Sequence, residues 1–99
     1  MNLVVSLENA KTADLTAQGE IFLAPSAKHQ MPLVTDVIAS AGKTSHFVLG
    51  PGEYEYKYYV SAGTGGFDIF IRGPGGVIAT ETEDTKYGYS GKVLPFKVP

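Results

Sequence analysis

The residues of this sequence whose types and spacing most invite chemistry are Tyr54, Tyr56 and Tyr58, set two apart, and a carboxylate group around Glu83. In an extended chain alternate side chains share a face, so the three tyrosines line up over ~13 Å. That row has two readings. Exposed, it is a flat platform on which sugar rings or extended peptides stack. Buried, it fills a core with the hydroxyls reaching the edges. Glu53, Glu55 and Lys57 occupy the opposite face, which makes the tyrosine face the natural one to bury. Tyr59 sits alone on the charged side, and Tyr87 and Tyr89 lie in a glycine-containing stretch; these three are expected to be exposed and to suit an interface, where tyrosine is enriched. The binding candidates are therefore Tyr54, Tyr56, Tyr58, Tyr59, Tyr87 and Tyr89.

The carboxylates Glu81, Glu83 and Asp84 fall in one acidic turn, and Asp68 is expected on a neighbouring strand. Such hard oxygen ligands suit Ca²⁺, the one cofactor these residues suggest, although no EF-hand spacing is present. The plainer reading is a solvated acidic turn. His29 and His46 are isolated, and with no cysteine they make a poor zinc set. They are also the only conventional imidazole bases. Gly88-Tyr89-Ser90-Gly91 lacks the pattern and the strand-to-helix setting of a nucleophile elbow. The glycine-rich stretches at 63–66 and 73–76 have no following Lys-Ser/Thr and helix to make a phosphate loop, and read as hairpin turns. A non-enzyme is expected.

The bulk composition narrows the classes further. Ninety-nine residues make one domain. Hydrophobic residues at 43% against 18% charged give enough apolar surface for a core, so disorder is not expected. The net charge of −2 is spread evenly, with three bases against four acids in residues 1–49 and five against six in 50–99. No basic block exists to neutralise a row of phosphates, which disfavours nucleic acid as a partner. No apolar run approaches the ~20 residues of a membrane helix, and the first residues have neither the basic region nor the apolar length of a signal peptide. The chain is accordingly expected to be cytoplasmic or part of something larger.

These residues have to be positioned by strands. Leu3, Val5 and Leu7 alternate with Val4 and Ser6. Ala13, Leu15 and Ala17 alternate in turn, with Ile21-Phe22-Leu23 beyond Gly19, as one strand with a bulge or as two. Residues 31–41 fit a helix starting at Pro32 and stopping at Gly42, with Leu33, Val34, Val37 and Ile38 on one face. The β-branched Val34, Thr35, Val37 and Ile38 favour a strand instead. Strands follow at 45–49, 53–60, 67–72, 77–82 and 92–98, separated by turns rich in Gly and Pro. The pattern predicts an all-β, single antiparallel β-sandwich, jelly-roll or Ig-like, of seven to nine strands.

His46-Phe47-Val48-Leu49-Gly50-Pro51-Gly52-Glu53-Tyr54 and the Asp-centred strand Gly66-Phe67-Asp68-Ile69-Phe70-Ile71-Arg72 resemble the bacterial pre-peptidase C-terminal β-sandwich family. Residues 51–60 are also similar to starch- and glycogen-binding β-sandwich modules, though the sugar-stacking tryptophans of that group are missing. Both resemblances imply a sandwich with no catalysis of its own. The expected role is an interaction module that binds a protein partner or self-associates through strand edges and exposed tyrosines. The alternative is a carbohydrate-binding module with a tyrosine platform.

Overall fold

The computed structural model describes residues 1–27, 29–61, 65–85 and 90–99. The chain forms eight strands: β1 Asn2–Glu8, β2 Thr16–Leu23, β3 Val34–Ser40, β4 Ser45–Val48, β5 Gly52–Ser61, β6 Gly65–Gly73, β7 Gly76–Thr85 and β8 Ser90–Val98. They make two four-stranded sheets, ordered β4-β1-β6-β7 and β3-β2-β5-β8, with every pairing antiparallel. The two sheets pack face to face, as the strand count and alternation predicted.

The period-two pattern decides which residues go inside. From the first sheet, Leu3, Val5 and Leu7 of β1 and Phe67, Ile69 and Ile71 of β6 are buried. They meet Ala17 and Ile21 of β2, Val37 and Ala39 of β3, Tyr54, Tyr56, Tyr58 and Val60 of β5, and Leu94, Phe96 and Val98 of β8. Each buried aliphatic or aromatic side chain contributes roughly 1.5–3 kcal/mol of transfer free energy.

The ambiguous segment is a strand. Val37 points into the core while Ile38 is only half-buried and Leu33 is exposed, so the helix-like spacing of these apolar residues corresponds to no shared face. Asp36 interrupts β3 with φ of 55°, a left-handed conformation that Asp adopts more readily than most residues. β2 is one strand that begins at Thr16, and its register against β3 shifts between Gly19 and Ile21. A Cβ at Gly19 would lie 2.0 Å from the Lys57 carbonyl oxygen, so only glycine permits this approach of β5 to β2.

The two sheets meet along two seams. At one, the Ser45 hydroxyl of β4 accepts from the Ile38 N–H of β3 at 2.8 Å and donates to the Ile38 carbonyl, joining the sheets through neutral groups. At the other, Lys92 of β8 reaches Glu83 of β7 at 3.3 Å. The outer edges are poor templates for another strand. β4 is four residues long, β3 is broken at Asp36, β7 turns Glu81 and Glu83 inward, and β8 contains Pro95, which has no N–H to offer.

Candidate binding face and acidic seam

The tyrosine row of β5 is core, the reading that the charges opposite it favoured, and this corrects the alternative of Tyr54, Tyr56 and Tyr58 as a surface binding platform. All three are buried, because the other face of β5 carries Glu53, Glu55 and Lys57 and cannot be. Tyr56 stacks on Tyr58 with ring centroids 4.9 Å apart, and Tyr54 stacks on Phe96 at 5.6 Å. The hydroxyls differ. Tyr54 donates to the Gly50 carbonyl at 2.8 Å, and Tyr56 donates to the Val37 carbonyl at 2.9 Å. The Tyr58 hydroxyl is buried and has no hydrogen-bond partner among the described residues. Burial drives the Tyr56 and Tyr58 phenols far above their ordinary range, with the Glu81 and Glu83 charges adding to the effect at Tyr58.

The acidic residues divide between the two faces of β7. Asp68 of β6 pairs with Thr82 and points outward, where its carboxylate accepts from Thr82 Oγ1 at 2.7 Å and from Asn9 Nδ2 at 2.6 Å. Those two bonds, Thr82's first, hold its pKa below the usual range. Asp84, exposed, lies opposite Gly66. Glu81 and Glu83 sit opposite the core residues Ile69 and Phe67, and residues directly opposite on antiparallel strands share a face, so both point inward. Asp68 therefore does not join Glu81 and Glu83. Among the described residues no three or more His, Asp or Glu side chains converge as a metal set. The candidate Ca²⁺ site of Asp68, Glu81, Glu83 and Asp84, set in the sequence beside the plainer reading of a solvated turn, is not assembled among the described residues.

His46, on β4, has its ring Nε2 3.2 Å from Thr44 Oγ1 and is exposed; His29 is exposed in the loop after β2. Tyr87 and Tyr89 lie outside the described residues.

Tyr59 is 56% exposed on the outer face of the β3-β2-β5-β8 sheet, as its place on the charged side of β5 predicted. Its ring lies over Gly91 on β8, where a Cβ would come within 3.1 Å of Cε1. Beside it runs a groove of about 540 Å³ lined by Gln18, Glu20, Phe22, Asp36, Lys57 and Ser61 among others. The Lys57 ammonium stands 4.9 Å from the Phe22 ring centroid, a cation–π contact that orders the floor. Val93, also exposed, extends the apolar part of this face on β8. Sequence reasoning singled out Tyr59 but missed Phe22, Gln18 and Asp36. The outward alternation of Phe22 was visible, but its neighbours come from β3 and β5 and depend on the pairing.

On the other outer face, Arg72 of β6 lies over Phe70, with its guanidinium 4.3 Å from the ring centroid, and donates to Glu8 and to Ser6 Oγ. The Arg72 hydrogen bond, then that from Ser6, lowers the Glu8 pKa. Comparisons of the chain with protein-family models, with curated proteins and with solved structures find no match.

Proposed function

We propose that this chain is a non-enzymatic β-sandwich interaction module that associates through the outer face of the β3-β2-β5-β8 sheet, with a second copy of itself as the partner. The observation that carries the reading is Tyr59, half-exposed on Gly91 at the rim of the groove, with exposed Val93 alongside. A large ring fixed by only two side-chain torsions gives contact area at low entropic cost, and tyrosine is a frequent anchor of interfaces. The blunted edges of β3, β4, β7 and β8 favour a face over a strand edge as the contact. Assembly by edge pairing, the other route open to such a sheet, finds little support in them.

Sedimentation velocity over a hundredfold range of concentration tests the reading, with Tyr59→Ser beside the wild type. The expected result is a concentration-dependent oligomer that the substitution weakens by roughly tenfold or more, as loss of an interface anchor does. A wild type that stays monomeric throughout rules out self-association.

A second reading has its own support. Tyr59 stands among Gln18, Glu20, Asp36 and Lys57, and one aromatic ring surrounded by planar amide and carboxylate groups is a combination that holds a sugar ring. A glycan screen of the monomer, repeated with Tyr59→Ser, tests that carbohydrate-binding alternative.

A further inference from the structure

The β7–β8 seam brings together groups that the binding face does not use. Glu81 and Glu83 project inward from β7. Lys92 projects inward from β8, opposite the buried Tyr58, and ion-pairs with Glu83. The Tyr58 hydroxyl of β5 is buried without a partner among the described residues, and both carboxylates lie close enough to act on it. From β6 only Ile69 and Phe67 face the pair. Among the described residues, therefore, two carboxyl groups and one ammonium meet against an apolar wall and an unsatisfied hydroxyl.

We propose that this seam is a proton-operated latch: the Glu81 and Glu83 carboxyl groups share one proton while the seam is closed, and the β7 edge loosens when that proton leaves to water. With the proton in place, the Glu81 O–H donates to the Glu83 carboxylate, and Glu83 carries the single negative charge that Lys92 neutralises. Without it, two carboxylates face one ammonium in a half-buried site, and like charges in reduced dielectric repel. Partial burial, then the hydrogen bond and charge of Glu83, raise the Glu81 pKa to about 7, against the opposing pull of Lys92. Glu81 in the unfolded chain ionises at the ordinary value of 4.5. The folded state therefore holds the extra proton between these two values, and stability falls as pH rises across that window. The opposite seam is joined by neutral groups, the Ser45 hydroxyl and the Ile38 backbone.

The test compares thermal melts of the wild type and Glu81→Gln from about pH 4.5 to about pH 8.5. The amide still donates to Glu83 but cannot titrate, and His29 and His46 are unchanged in the variant. The wild-type melting temperature is expected to fall with rising pH, most steeply up to about pH 7, while the variant follows a flatter profile. Equal slopes in the two proteins would overturn the proposal. Two measurements on the wild type hold even if the variant folds poorly. Carbon-13 NMR should give Glu81 a midpoint near 7, and an ordinary carboxylate midpoint would overturn the shared proton. Hydrogen exchange, corrected for its intrinsic pH dependence, should show β7 amides losing roughly tenfold or more of their protection between about pH 5 and about pH 8 while β2 and β5 keep theirs. Uniform loss across all three strands would overturn the seam as the place that yields.

Discussion

Tyr56 and Tyr58 share a face of β5 and a stack of rings, and differ by one hydrogen bond. The Tyr56 hydroxyl is satisfied by the Val37 carbonyl, whereas that of Tyr58 is buried without a partner among the described residues. Removing a satisfied buried hydroxyl costs about 1 kcal/mol, and removing an unsatisfied one costs almost nothing or stabilises. Tyr56→Phe is therefore expected to lower the free energy of urea unfolding by about 1 kcal/mol, and Tyr58→Phe to leave it equal or raise it. Truncation of the whole ring in Tyr56→Ala should cost about 3–5 kcal/mol. At this scale the sequence was readable as far as alternation goes. The charges of Glu53, Glu55 and Lys57 left only one face of β5 to bury. Nothing in the row of tyrosines could tell that the Tyr56 hydroxyl would find a carbonyl and that of Tyr58 would not, because Val37 comes from β3, whose placement depends on pairing.

The strands show where local pattern and tertiary constraint agree. β1, β5 and β6 alternate cleanly, and their inward residues follow from the sequence. β3 was the ambiguous element. Val34, Val37 and Ile38 have helical spacing, but in the sheet Val37 and Ile38 point to opposite sides, and the β-branched side chains decide the outcome. At Gly19 the sequence suggested a bulge, and the register of β2 shifts there against β3, where Asp36 is left-handed. The need for glycine comes from the other side, where the Lys57 carbonyl of β5 leaves no room for a Cβ. Gly19→Ala forces backbone against Cβ and is expected to cost about 1–3 kcal/mol or more, read from the shift of the urea midpoint. The edge of β8 yields a separate prediction. Pro95→Thr restores an N–H and a β-forming side chain on an open edge, so the variant should scatter more light on concentration or mild heating than the wild type. Equal scattering would show that Pro95 does not guard this edge.

The whole molecule combines these elements in an order that sequence neighbours do not dictate. Five of the seven connections change sheet, and the central pairs β1–β6 and β2–β5 join segments distant in the chain. Loop closure has to precede the contacts that reward it, so refolding followed by tyrosine fluorescence is expected on the millisecond-to-second scale typical of such sandwiches. This long-range pairing is also why the candidate face and the acidic seam escaped sequence reading. Glu81, Glu83, Lys92 and Tyr58 belong to three strands, and Glu81 and Glu83 read locally as members of a solvated turn. The molecule's response to pH follows from the same arrangement. Glu8 and Asp68 have lowered pKa values, so their contributions are present above the unfolded carboxylate range and lost on acidification. Glu81 has a raised one and contributes in the opposite sense, fully below its unfolded value and less as pH climbs towards 7. Unfolding free energy measured against pH should therefore peak at about pH 4.5 and decline on both sides. A maximum at neutral pH would mean that Glu81 is an ordinary surface carboxylate.

The stacked rings of Tyr56 and Tyr58 have an optical consequence. Their centroids are 4.9 Å apart and their planes 19° from parallel, and the protein contains no tryptophan to mask them. Two identical chromophores held that close in a chiral setting couple their transitions, which gives a circular-dichroism band that isolated phenols lack. The core thus carries its own spectroscopic reporter. The band should vanish when Tyr58 is replaced by Leu, although the sheets remain, and its amplitude would follow the tightness of core packing separately from the far-ultraviolet signal of the strands.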